Sequence, residues 1–155
     1  MESTLQSPAL HAGNTTKTTK TTKTTKTTKK GRVIAYWLVT GIFCLQMGFT
    51  AYAQLRLPQV AAMFQHLGIP DYLRVELSWA KLIGVAVLLA PAPSRLKEWA
   101  YAGFAIDLAS GLLAHLAVGD GPAAWSWAAA TGVLWALSYV CWRRLPAAER
   151  LRSAR

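Results

Sequence analysis

The chain has 155 residues, is 53% hydrophobic, and carries a formal net charge of +10 from 17 basic and 7 acidic side chains. That length holds one small domain and leaves no room for a separate catalytic domain. The basic residues flank four long apolar runs instead of forming one face, which leaves nucleic acid a tail but no folded reader, and predicts no specific nucleic-acid binding.

Residues 1–32 form a tail in which Thr-Thr-Lys repeats five times between Thr15 and Lys29. A period of three suits neither helix nor strand and has nothing apolar to bury, so this segment is expected to be disordered and cytoplasmic. It lacks the apolar core and cleavage site of a secretory signal.

The first span is predicted over 33–55. A hydrocarbon core about 30 Å thick needs about 20 apolar residues at about 1.5 Å per residue, and this run meets that without a charge. Gly41, Cys44 and Gly48 make a small-residue stripe for close helix packing, and Gln46 is placed to hydrogen-bond into the interior. Cys44 and Cys141 lie at different depths, so no bridge is expected between them.

Between Leu57 and Pro70, Pro58 suits a first helical turn and Gly68 an end, while Val60, Met63, Phe64 and Leu67 recur at helical spacing. This is a short interfacial helix, with Gln59, Gln65 and His66 on its polar face and His66 expected to be solvated.

The second span, 72–90, carries Glu76 and Lys81. The third, 99–118, carries Asp107 and His115, and the fourth, 123–142, carries no charge. A turn with Pro91, Pro93 and Ser94 joins the second and third, so they are expected to pack as an antiparallel pair. Counting from that turn puts Lys81 and Asp107 about 12 to 14 Å from the same boundary, and Glu76 and His115 at matching depths beyond them. The candidate buried polar site is therefore Glu76, Lys81, Asp107 and His115, with Gln46 and Glu98 as secondary candidates. An unpaired charge at mid-bilayer costs at least about 2.5–3.5 kcal/mol, so Lys81 with Asp107 and Glu76 with His115 are the expected pairs. Glu76 and Lys81 are about 140° apart around their helix, which lets one of them face a different neighbour. Trp37, Tyr52, Trp99, Trp125 and Trp142 fall near the boundaries as interfacial anchors.

Fourteen basic residues lie before the first span, between the second and third, or after the fourth, in the basic tail 143–155. Only Arg56 and Arg74 lie in the other connections. This asymmetry predicts both termini in the cytoplasm and a multi-pass protein of the inner membrane. The predicted fold is thus all-α: a four-helix transmembrane bundle with an interfacial helix and a disordered basic tail. No metal site and no resident cofactor are expected from the motifs.

From Tyr36 to about Arg144 the chain resembles the DoxX-like family of small bacterial membrane proteins. The resemblance lies in Leu67-Gly68-Ile69-Pro70, Ala80-Lys81-Leu82-Ile83-Gly84, Leu88-Leu89-Ala90-Pro91 and Lys97-Glu98-Trp99-Ala100-Tyr101-Ala102-Gly103-Phe104. It continues through Asp107 and His115 with Gly119-Asp120. Ala114 stands where family members often have Ser before the histidine. The resemblance implies a four-helix membrane fold, and some relatives are associated with membrane sulfur or quinone redox systems as accessory subunits. It leads to an expected accessory role in a membrane redox system, with a quinone contact and a redox partner or a second copy of the chain beside the lipid bilayer. A small proton-coupled transporter and a structural scaffold without chemistry of its own are the alternatives.

Overall fold

The computed structural model describes residues 30–145 in full and residues 16–29 as backbone; residues 1–15 and most of the 143–155 tail lie outside the described residues. Among the described residues the fold is all-helical, with α1 (Thr16–Arg56), α2 (Pro58–His66), α3 (Asp71–Leu89), α4 (Ser94–Ala117) and α5 (Pro122–Arg143). The backbone of α1 begins at Thr16, so it runs through most of the Thr-Thr-Lys repeat where composition predicts disorder. Extending an existing helix avoids the nucleation cost that a short polar helix faces alone.

Pro58 opens α2 at a position where its missing N–H is not needed. Two turns are glycine-dependent: Gly68 and Gly119 adopt φ of +70° and +77°. At the first, Ile69 N–H donates to Phe64 O and Gly68 N–H to Gln65 O. At the second, Asp120 N–H donates to His115 O and Gly119 N–H to Leu116 O. Both are the paired C-terminal cap in which the second residue past the helix folds back over its last turn.

Helix α1 buries one stripe, Tyr36, Thr40, Phe43, Cys44, Met47, Ala51 and Gln54, at spacings of three and four. α3 packs against α4 and α4 against α5, and α2 lies on α3. Phe43 of α1 meets Phe104 of α4 edge-on at 5.1 Å. One turn earlier on α4, Tyr101 joins Tyr139 and Trp142 in an aromatic cluster. Trp142 is buried there, which corrects its assignment as an interfacial anchor: its face of α5 points inward at Tyr101.

The small-residue stripe of the first span also differs from expectation. A Cβ built on Gly41 or Gly48 would meet nothing within 4 Å, whereas at Gly84 it would fall 2.7 Å from Phe104 Cζ. The close approach is therefore between α3 and α4, where a large ring fills the space above one glycine.

The distribution of polarity is inverted. Among the described residues twenty-four large apolar or aromatic side chains are exposed, while Thr40, Gln54, Ser78, Lys81, Lys97, His115, Thr131 and Ser138 are buried. A water-facing surface rarely exposes so many large apolar side chains, whereas lipid favours them. Two segments, Lys30–Arg56 and Ser94–Ala117, are long and apolar enough to cross a membrane. α3 has 19 residues but carries four charged side chains, Asp71, Arg74, Glu76 and Lys81, and α5 has 22 residues in which Ser, Thr and Trp are interspersed among the aliphatic ones.

Candidate functional site

Helices α1, α3 and α4 each contribute one face to a buried polar centre. Lys81 Nζ forms an ion pair with Asp107 Oδ1 at 3.0 Å and donates to Gln54 Oε1 at 3.1 Å. Ser78, one turn before Lys81 on the same face, donates to Gln54 Oε1 at 3.0 Å. Arg74, a further turn back, donates to the Gln54 backbone carbonyl and lies 3.3 Å from Asp71 Oδ1. The i, i+4 and i+3 steps from Arg74 through Ser78 to Lys81 thus place three donors over one glutamine.

The side chains of Lys81 and Asp107 are 8% and 16% exposed, so the pair is enclosed without being sealed. An ammonium has three donors and a carboxylate two acceptor oxygens. The ammonium gives one hydrogen bond to Gln54 and is paired in charge with Asp107 Oδ1, contacts that fill the capacity of neither group. The centre can therefore donate and accept one further hydrogen bond at adjacent atoms.

Glu76 and His115 are not brought together. Glu76 is exposed, on a different face of α3 from Lys81, as the angle between them requires. His115 Nδ1 instead lies 2.7 Å from Asp120 Oδ2, and His66 Nε2 lies 2.9 Å from Asp120 Oδ1. An ionised carboxylate only accepts, so both facing nitrogens carry protons. The hydrogen bonds from His115 and then His66 hold the Asp120 carboxyl below the ordinary carboxylate range. His66 is therefore engaged and not simply solvated, and α2 is clasped to the α4–α5 turn. Among the described residues no group of His, Cys, Asp and Glu, this one included, is arranged to hold a metal ion.

The secondary candidates go to separate places. Gln46 donates to Thr131 of α5, whose own hydroxyl donates to Trp127 O at 2.8 Å. Glu98 accepts from Arg143 Nη1 at 3.1 Å on the surface. Neither reaches Lys81.

Three groups escaped sequence reasoning. Gln54 sits at a span end, although it continues the stripe of Tyr36, Thr40, Met47 and Ala51 and so faces inward. Asp120 follows Gly119, and a glycine-capped helix folds the next residue back over the last turn, here onto His115. The third is a chain of hydroxyls, with Ser138 Oγ 2.7 Å from Thr40 Oγ1 and 2.8 Å from Tyr101 Oη, joining α1, α4 and α5. Trp135 Nε1 donates to the Tyr101 carbonyl at 3.0 Å and steadies α4 against α5.

Residues 38–139, well over half of the chain, match the model of the DoxX-like family. No curated protein and no solved structure matches.

Proposed function

The chain belongs to the DoxX-like family, and from that premise we propose that it is a four-helix inner-membrane bundle serving as an accessory subunit of a redox or quinone-linked system. In this reading α1, α3, α4 and α5 all span the bilayer, both termini are cytoplasmic, and α2 lies along the outer surface. The pairing of Lys81 with Asp107 favours α3 as a span, because neutralising each charge with the other removes the main cost of placing either in lipid. The exposed apolar residues on α3 and α5, including Trp79, Ile83, Val133 and Leu137, favour the same placement.

The observation that carries the reading is the unfilled hydrogen-bonding capacity of the Lys81–Asp107 pair. A quinone carbonyl accepts from an ammonium, and a quinol hydroxyl donates to a carboxylate, so the spare donor and acceptor match the two redox states of one head group. Gln54 and Ser78 hold Lys81 in place while its partner changes. A proton delivered to or taken from a neighbouring redox subunit would use the same two atoms.

The test is purification from native membranes in mild detergent, with mass spectrometry of proteins and extracted quinones together. Co-purification of a reductase or a quinone, lost in Lys81→Met, is the expected result. Reporter fusions after Lys30, Gly68, Ser94, Asp120 and Arg155 test the topology, with a cytoplasmic signal at Asp120 overturning it. Substrate flux in liposomes holding this protein alone would replace the accessory reading with a proton-coupled carrier.

A further inference from the structure

Lys97 is only 2% exposed, and its ammonium has no hydrogen-bond acceptor among the described residues. Its recorded neighbour is a soft one, the Trp37 ring of α1, 5.8 Å away at its centroid. The adjacent carboxylate, Glu98, is turned outward to Arg143. A buried cation with three unsatisfied donors is costly and calls for an anion.

The surroundings say where that anion enters. The indole of Trp37 that faces Lys97 also forms one wall of a half-open pocket of about 220 Å³, completed by Leu89, Ala90 and Pro91 at the end of α3. Pro91 lies three residues before the first residue of α4, a helix whose N-terminus has no side-chain cap and whose first turn contains no acidic residue. Those free N–H groups favour negative charge at the same rim. Lys97 sits in that first turn, where a cation opposes the helix dipole, so the orphaned ammonium and the uncapped terminus demand the same ligand. Outside the pocket Leu89, Leu96 and Trp99 are exposed and apolar.

We propose that this pocket binds the phosphate of an anionic phospholipid from the leaflet that contacts the α3–α4 turn, with the charge of Lys97, buried beside the Trp37 ring, favouring an anion there and Leu89, Leu96 and Trp37 against the acyl chains. The apolar walls beside a buried ammonium fit an amphiphile better than a free ion. The inference rests on the membrane reading above but not on the redox role or on which side is cytoplasmic.

Native mass spectrometry of the full chain in neutral detergent, titrated with phosphatidylglycerol or phosphatidylcholine of the same acyl composition, tests it. One phosphatidylglycerol is expected to bind at least 10-fold more tightly than phosphatidylcholine and to raise the melting temperature. Lys97→Met should abolish the preference, Lys97→Arg should retain it, and Leu89→Trp, which fills the pocket and leaves Lys97 intact, should weaken binding of both lipids. Without lipid, Lys97→Met should melt no lower than the wild type, since it removes an unpaired buried charge. Stabilisation by inorganic phosphate in place of phosphatidylglycerol would assign the site to a free anion and overturn the lipid. Absence of any head-group preference, or its persistence in Lys97→Met, would overturn the site.

Discussion

Replacing Lys81 with Met keeps most of the side-chain volume and removes the charge, leaving Asp107 with no partner in a position only 16% exposed. Breaking one side of a buried pair costs about 3–5 kcal/mol, and the partial access to Asp107 places the expected loss near the lower end, about 3 kcal/mol. Gln54 would keep the Ser78 hydroxyl 3.0 Å from its side-chain oxygen, a donor it shares with the Arg74 carbonyl at 2.7 Å. Asp107→Leu should cost about 2–3 kcal/mol, since Lys81 retains Gln54 as an acceptor. Combining Lys81→Met with Asp107→Leu should return stability to within about 1 kcal/mol of the wild type, a coupling of several kcal/mol between the two sites. Equilibrium unfolding in mixed micelles, followed by the fluorescence of the seven tryptophans, measures all four corners of the cycle. Coupling under about 0.5 kcal/mol would refute a direct interaction of the two groups in the folded protein. If the double variant regains both stability and its co-purifying partner or quinone, the pair is structural and the proposed chemistry fails.

Ser138→Ala should lower stability by about 1–3 kcal/mol, because it leaves the Thr40 and Tyr101 hydroxyls without their shared partner; Ser138→Thr should do less harm in the same unfolding assay. Gly84→Ala should cost about 1–3 kcal/mol by forcing the buried Phe104 ring aside, and adding Phe104→Leu should relieve part of that loss. The clasp at Asp120 has a defined pH direction: its folded carboxyl titrates below the unfolded value of 3.8, so its contribution is complete above that value and disappears as the pH falls through the lower folded one. Protease protection of the α2 segment should therefore persist from neutral pH down to about pH 4 and drop in stronger acid, while Asp120→Asn should weaken it at neutral pH.

The hairpin of α3 and α4 was legible in the sequence because a short proline-rich turn fixes two helices as neighbours, and depth follows from counting residues. That reasoning brings Lys81 to Asp107. It fails for Glu76 because depth says nothing about rotation, and 140° of helix separates Glu76 from the face that Lys81 uses. Gln54 was hidden by its position near a span end, where a polar residue looks like a boundary. Only the spacing from Tyr36 onward shows that it continues the inward face. Lys97 was counted among the charges of a loop, yet it belongs to the first turn of α4, and packing against α1 buries it. The partnership of His66 with Asp120 crosses from α2 to a different connection, which no local pattern specifies. Charge count separates α3 from α1 and α4, and that is what makes α3 informative: Arg74 and Lys81 meet partners supplied by α1 and α4, which the composition of one segment cannot register.

The His66–Asp120 contact also bears on biogenesis. The two residues are 54 positions apart, so at ~5–20 residues per second a ribosome takes ~3–11 s to make the second after the first. During that interval α2 has emerged without its latch, and the clasp can close only once the segment leading into α5 has been delivered. Chains stalled just before Asp120 should therefore present a loose α2.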